Sequence, residues 1–151
     1  MRIALILLAV IVAALVGAAL YFRTVAMPTE VWHVDPATVT PPESPNFELL
    51  TGARAPVFDT SAAALAARID AIATAEGATL IGGSLADGQM TYVARSRIMG
   101  FPDAVSIRLV PVETGTRMEV FSRARFVHSD MGVNAARVAR WVAAAREGVG
   151  P

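Results

Sequence analysis

Residues 3–22 (IALILLAVIVAALVGAALYF) form a run of twenty positions with no charge and no proline. At ~1.5 Å rise per residue a helix of that length covers about 30 Å, the hydrocarbon thickness of a bilayer. A backbone in lipid has to satisfy its own hydrogen bonds, so the run predicts a single membrane-spanning helix. Arg2 and Arg23 bracket it, and Tyr21 and Phe22 fall at its second interface. The pattern then changes. Residues 24–45 hold Pro28, Pro36, Pro41, Pro42 and Pro45 and show no periodicity. They predict a stiff, extended connector that lifts the remainder of the chain off the membrane surface.

From residue 59 onward, regular periods return. Asp59-Thr60 precede an Ala-rich stretch closed by Gly77, with Leu65, Ile69 and Ile72 along one helical face. Four strand-like segments come next at hairpin spacing, at residues 78–85, 89–98, 104–112 and 116–126, with turn signals at Asp87-Gly88, Gly100–Asp103 and Thr114-Gly115. In the third, Val105, Ile107 and Leu109 alternate with Ser106 and Arg108. In the fourth, Met118, Val120, Ser122, Ala124 and Phe126 share one face, opposite Arg117, Glu119, Phe121, Arg123 and Arg125. The second puts Thr91, Val93, Arg95 and Arg97 together. A last helix is expected over residues 133–146, striped by Val138, Trp141, Val142 and Ala145 and ended by Gly148. The fold class is therefore α+β: an N-terminal transmembrane helix, then a four-stranded antiparallel sheet with two helices packed on one face. The divisions are an anchor at 1–23, a Pro-rich connector at 24–45 and a folded domain at 46–151.

The rival reading of the N-terminus is a cleaved signal peptide, with Val16-Gly17-Ala18 as a small-residue cleavage site. The apolar run is longer than a usual signal core and continues past that site, which favours an uncleaved anchor. Arg2 and the amino group lie before the helix, while Arg23 is followed by Glu30, Asp35 and Glu43. That favours a single-pass protein of a bacterial inner membrane with its C-terminal domain in the periplasm. Ala13, Ala14, Gly17 and Ala18 provide small-residue spacings suited to packing against another helix.

Charge and composition narrow the chemistry. The chain has no cysteine, which excludes disulfides, thiolate metal sites and cysteine nucleophiles. Formal net charge is zero, but residues 24–90 carry two arginines against eight acids and residues 91–151 nine arginines against five. All 13 cationic side chains are arginine, which fits GC-rich coding as well as function. The domain is not net basic and no aromatics interleave the arginines, so nucleic acid is not an expected partner. His33 and His128 are the only histidines and stand far apart, so no metal site and no cofactor are expected. His128 beside Asp130 makes half of an acid–base pair without a nucleophile, and the chain is read as a non-enzyme.

The segment Ser122-Arg123-Ala124-Arg125-Phe126-Val127-His128-Ser129-Asp130-Met131-Gly132-Val133-Asn134-Ala135-Ala136-Arg137 is the most distinctive. It resembles the C-terminal motif of the DUF1499 family, a family of unknown function, whose pattern runs roughly Ser-x-Ser-Arg-x-Gly-x-x-Asp-x-Gly-x-Asn-x-x-Arg. Arg125, Asp130, Gly132, Asn134 and Arg137 match it. Ala124 and Val127 depart from it, standing where serine and glycine are usual. The Arg97–Asp103 stretch and Ser44-Pro45-Asn46 are also similar to that family, and the resemblance covers about residues 45–146.

Two readings of these residues stand. In the structural one, Asp130 or Asn134 caps the last helix, Gly132 permits the turn, and Arg125 pairs with Asp130 or Asp103. In the functional one, Arg95, Arg97, Arg123 and Arg125 gather beside a helix N-terminus as an anion site. The expected function is that of a membrane-anchored interaction or accessory subunit, with the bilayer and a larger membrane complex as partners. The alternative is a binding domain for an anionic small molecule or lipid headgroup on the arginine face.

Overall fold

The computed structural model describes residues 1–147. Helix α1, Arg2–Thr24, is long and apolar enough to cross a membrane, and none of its residues is buried. A short helix, α2 (Thr29–Trp32), lies in the connector. The folded part then runs β1 (Phe47–Leu50), β2 (Val57–Phe58), α3 (Ala62–Ala75), β3 (Thr79–Ser84), β4 (Gln89–Arg95), β5 (Pro102–Val112), β6 (Gly115–Ala124) and α4 (Val133–Glu147). The expected Gly148 stop of the last helix lies outside the described residues.

The sheet is antiparallel with six strands, not four. Its order is β1-β6-β5-β4-β3, with β2 also pairing to β6. The two extra strands flank a 3-10 turn at Gly52–Arg54 and are only four and two residues long. That is too short to show a period, yet they cover the outer edge of β6, whose backbone would otherwise stay unpaired. The second predicted strand also ends early. β4 stops at Arg95, and residues 97–99 form a turn in which Ser96 N–H donates to Phe101 O at 3.0 Å.

Alternation sorts the strands into two faces. Met90, Tyr92, Val105, Ile107, Leu109, Met118 and Val120 face α3 and α4 and close the main core with Leu65, Ile69, Val138 and Trp141. Tyr92 and Trp141 meet edge to face, 6.0 Å between ring centroids. Ser61 caps α3, accepting from Ala64 N–H at 3.2 Å.

The other face is not left to solvent. The connector lies across it rather than standing clear as a spacer. Met27 and Trp32 pack with Val93, Ala104 and Ile81 in a second, smaller core. Thr29 Oγ1 donates to Ile81 O at 2.5 Å, and His33 Nδ1 is hydrogen-bonded to Thr91 Oγ1 at 2.9 Å. Gly82 makes this approach possible: a Cβ there would come within 2.9 Å of Thr29 and His33 side-chain carbons. An ion pair between Arg108 and Asp35 fixes the next stretch. Covering on both sides explains why Thr91 and Ser106 are fully buried although both are polar.

Candidate functional site

The C-terminal motif folds into a buried polar network between β5, β6 and the start of α4. Asp130 precedes α4. Its carboxylate accepts from Gly132 N–H at 3.0 Å, Asn134 N–H at 2.8 Å and Asn134 Nδ2 at 2.6 Å. Gly132, at φ +80, supplies the left-handed turn this wrap requires. Asn134 is fully buried. Its Nδ2 also donates to Asn46 O at 3.2 Å, and its Oδ1 accepts from Ser122 Oγ at 2.5 Å and Arg137 Nη1 at 2.8 Å. Arg137 reaches Asp103 Oδ2 through Nη2 at 2.7 Å, with both side chains at most 10% exposed. One asparagine thus ties the β6–α4 loop to the start of β1, and one arginine ties α4 to β5.

Burial pushes the Asp103 carboxyl above its ordinary value, against the opposing pull of Arg137, and Asp130 adds to the rise. At Asp130 burial also acts upward, but the Asn134 and Gly132 donors outweigh it and hold the carboxyl below its ordinary 3.8. A depressed folded pKa adds stability above the unfolded value and loses it as pH falls through the folded one. Asp130→Ala is therefore expected to cost about 1 kcal/mol at neutral pH, the usual loss of a helix cap. The gap to the parent should close below pH 3.8. Thermal melts of both chains at pH 7 and in acid check this.

The expected partnering of Arg125 with Asp103 or Asp130 does not occur. Arg137 holds Asp103, and Arg125 instead donates to Ala26 O and to Met27 Sδ at 3.6 Å. Nor do the four arginines meet beside a helix N-terminus. At the start of α4 the Asn134 N–H is taken by the Asp130 carboxylate and the Val133 N–H by its carbonyl. Arg95, Arg123 and Arg125 share the connector face of the sheet, whereas Arg97 sits in the β4–β5 turn, outside any strand.

What the first three hold is the chain's own segment from the last turn of α1 to Trp32. Arg95 donates to Phe22 O and, at 2.9 Å, to Val25 O. These carbonyls belong to the last turn of α1 and the residue after it, where a helix leaves acceptors unpaired and its dipole favours a cation. Burial, and then repulsion from Arg125, lower the Arg95 pKa. Arg123 donates to Trp32 O at 3.0 Å and lies over the Trp32 and Phe121 rings, 4.9 and 4.6 Å from their centroids. Burial brings its pKa down to about 10.

Around the corner from this clamp, a cleft of about 500 Å³ opens between the end of α3, α4 and the β4–β5 turn, lined by Arg95, Arg97, Arg137, Arg140 and Glu76. Arg137 is committed to Asp103, and Arg140 grips Glu76 with two bonds of 3.1 and 3.2 Å. Among the described residues no carboxylate matches Arg95 or Arg97. The same residues contain no group of three or more His, Asp or Glu placed to hold a metal ion. His128 is exposed, while His33 is engaged with Thr91.

Fold and site together define a small α+β domain, locked by an Asp-x-Gly-x-Asn-x-x-Arg loop and joined to an apolar N-terminal helix long enough to span a membrane. The chain belongs to the DUF1499 family, a protein family of unknown function, whose model matches residues 32–144. No curated protein matches the chain. The match begins at Trp32, so it takes in the later part of the stretch that packs on the second face of the sheet as well as the sheet itself.

Sequence reasoning missed two participants. Asn46 anchors Asn134 through its backbone, and Ser122 completes the acceptor set of Arg137. Ser122 fell on the apolar face of an alternating strand, and a serine among Met118, Val120 and Ala124 was the available signal.

Proposed function

We propose that this protein is a non-enzymatic, membrane-anchored accessory domain, carried by α1 in the inner membrane with its folded part on the periplasmic side. The observation that carries this reading is the arginine clamp. Arg95 and Arg125 bind the end of α1 and the residues just after it, and Arg123 binds the connector. A domain tethered for free diffusion needs no such contacts. A domain that presents one surface to a neighbour in the same membrane needs its orientation fixed. Of the groups the sequence offered for chemistry, Asp130 is committed to the α4 cap and Asp103 to Arg137, while His128 stands exposed without the nucleophile an acid–base pair would serve. The small residues of α1 suit a second helix against it.

The test is extraction of the native protein in mild detergent after an alkaline wash of the membranes, then size fractionation and mass spectrometry. The expected result is retention through the wash and stoichiometric co-migration with a larger membrane complex. A chain that survives the wash but runs alone at its own size would overturn the accessory role. Release by the wash would overturn the anchor.

The alternative, an anionic ligand on the arginine face, keeps support at one place. The 500 Å³ cleft holds Arg95 and Arg97, which no carboxylate matches among the described residues. A second cavity, of about 430 Å³, lies between the connector and β6, but Arg123 and Arg125, which line it, already donate to Trp32 O and Ala26 O.

A further inference from the structure

The end of the sheet that receives α1 has an exposed apolar rim. Beyond α1 and the Met1 that precedes it, Ile98 (84% exposed) and Met131 (92%) are the most exposed large apolar side chains among the described residues. They sit on two adjacent loops, β4–β5 and β6–α4. Ala94, Asp103 and Ala124 stand in register where these loops begin, and an apolar hollow of about 200 Å³ opens between them. Met131 holds a φ of +52, a left-handed conformation uncommon for a side-chain-bearing residue, within the turn that wraps Asp130.

Both loops touch the end of α1. Arg23 donates to Ile98 O at 2.5 Å and Arg97 O at 3.1 Å. The Phe22 ring lies 4.3 Å from that of Phe101 and 5.1 Å from that of Phe126. Ile98 is therefore level with the residue that ends the apolar run. The same rim carries Arg23, Arg95, Arg97 and Arg125, and among the described residues none of them is within ion-pair distance of a carboxylate. In water this surface would leave large apolar groups wet and four cations without counter-charge. At a bilayer interface both needs are met, by the headgroup–acyl boundary and by lipid phosphates.

We propose that this rim is a second membrane contact, in which Ile98 and Met131 enter the bilayer interface beside α1 and the arginine collar faces the phosphates of anionic phospholipids. The proposal rests on the reading that α1 spans a membrane, and it makes the domain lie against the surface instead of standing off it. Insertion of such side chains reaches about 5–10 Å into the boundary, within range of a quencher on the upper acyl chain.

The native chain has no cysteine, so single-site labelling of the full-length protein is direct. Ile98→Cys, Met131→Cys, Leu15→Cys and Val57→Cys chains would each carry an environment-sensitive fluorophore. Each would be reconstituted in phosphatidylcholine vesicles, with and without phosphatidylglycerol, containing a nitroxide on the upper acyl chain. Val57 is exposed on β2, at the opposite end of the sheet. The expected result is a blue shift and a several-fold larger quenching loss at positions 98 and 131 than at 57, stronger with phosphatidylglycerol. Quenching at 15 with none at 98 and 131 would overturn the rim while leaving the anchor intact. Absence of quenching at 15 would overturn the anchor reading and the rim with it. Equal quenching at 98 in the two lipid mixtures would overturn the contact with anionic phospholipids.

Discussion

Arg137→Ala is expected to lower the stability of the domain by about 3–5 kcal/mol, the range for removing one member of a buried ion pair. The loss comes from the groups left behind. Asp103, at 10% side-chain exposure, keeps a carboxylate whose one cationic partner is gone. Asn134 Oδ1 and Ser122 Oγ each lose a donor in the same step. For a folded part of roughly a hundred residues this corresponds to a fall in Tm on the order of 15 °C or more. The pH dependence carries the sign. Burial already raises the Asp103 carboxyl above 3.8 in the parent. Without Arg137 the folded pKa rises further, so the penalty stands at high pH and is relieved as pH falls through that value toward 3.8. The variant should therefore recover part of its deficit in mild acid, whereas loss of the Asp130 cap shows its full cost near neutrality. Replacing the pair together, Asp103→Leu with Arg137→Met, should cost clearly less than Arg137→Ala alone, because no uncompensated charge remains. Circular-dichroism melts of the full chain in detergent at two pH values measure all three. A single variant as stable as the parent would mean the pair is not what locks α4 to the sheet.

The α+β class, the two packed helices and the four long strands were legible because each element is long enough to show its period. Leu65 and Ile69 mark α3, Val105 with Ile107 and Leu109 mark β5, and Trp141 marks α4. β1 and β2 were not, since four and two residues carry no alternation and their pairing with β6 is a tertiary fact. The motif residues were legible as a group, and chain order narrowed the α4 cap to Asp130 or Asn134. Their partners could not. Which arginine meets Asp103 depends on α4 crossing β5, and no local pattern separates Arg125 from Arg137 in that respect. The connector misled for a physical reason. Five prolines do suppress regular structure, but an irregular segment still packs when its acceptors are met by side chains. Here Arg95, Arg123 and Arg125 supply the donors, so the same arginines read as a ligand face are the reason the connector is ordered.

That exchange sets the last expectation. Arg95→Ala and Arg125→Ala each remove charge-assisted hydrogen bonds to backbone carbonyls, worth about 1.5–3 kcal/mol apiece. The two guanidinium groups also repel, which adds to the larger effect of burial in lowering the Arg95 pKa. Either single variant therefore loses its own bonds but relieves the strain felt by the other arginine. The double variant loses both sets of bonds, while the relief is counted only once, so its cost should exceed the sum of the singles. The core between the sheet, α3 and α4 does not include these residues, so the main melting transition should move little. The junction should open instead: a fall of about 3 kcal/mol in its opening free energy in the double variant raises the open fraction by roughly a hundredfold. Hydrogen exchange at residues 25–33 of the full chain in nanodiscs reads this directly, with β5 amides as the internal reference. Exchange that accelerates at the junction and holds in β5 assigns the arginines to the clamp. Unchanged exchange at the junction would show that Trp32, Met27 and the Asp35–Arg108 pair hold the connector without them.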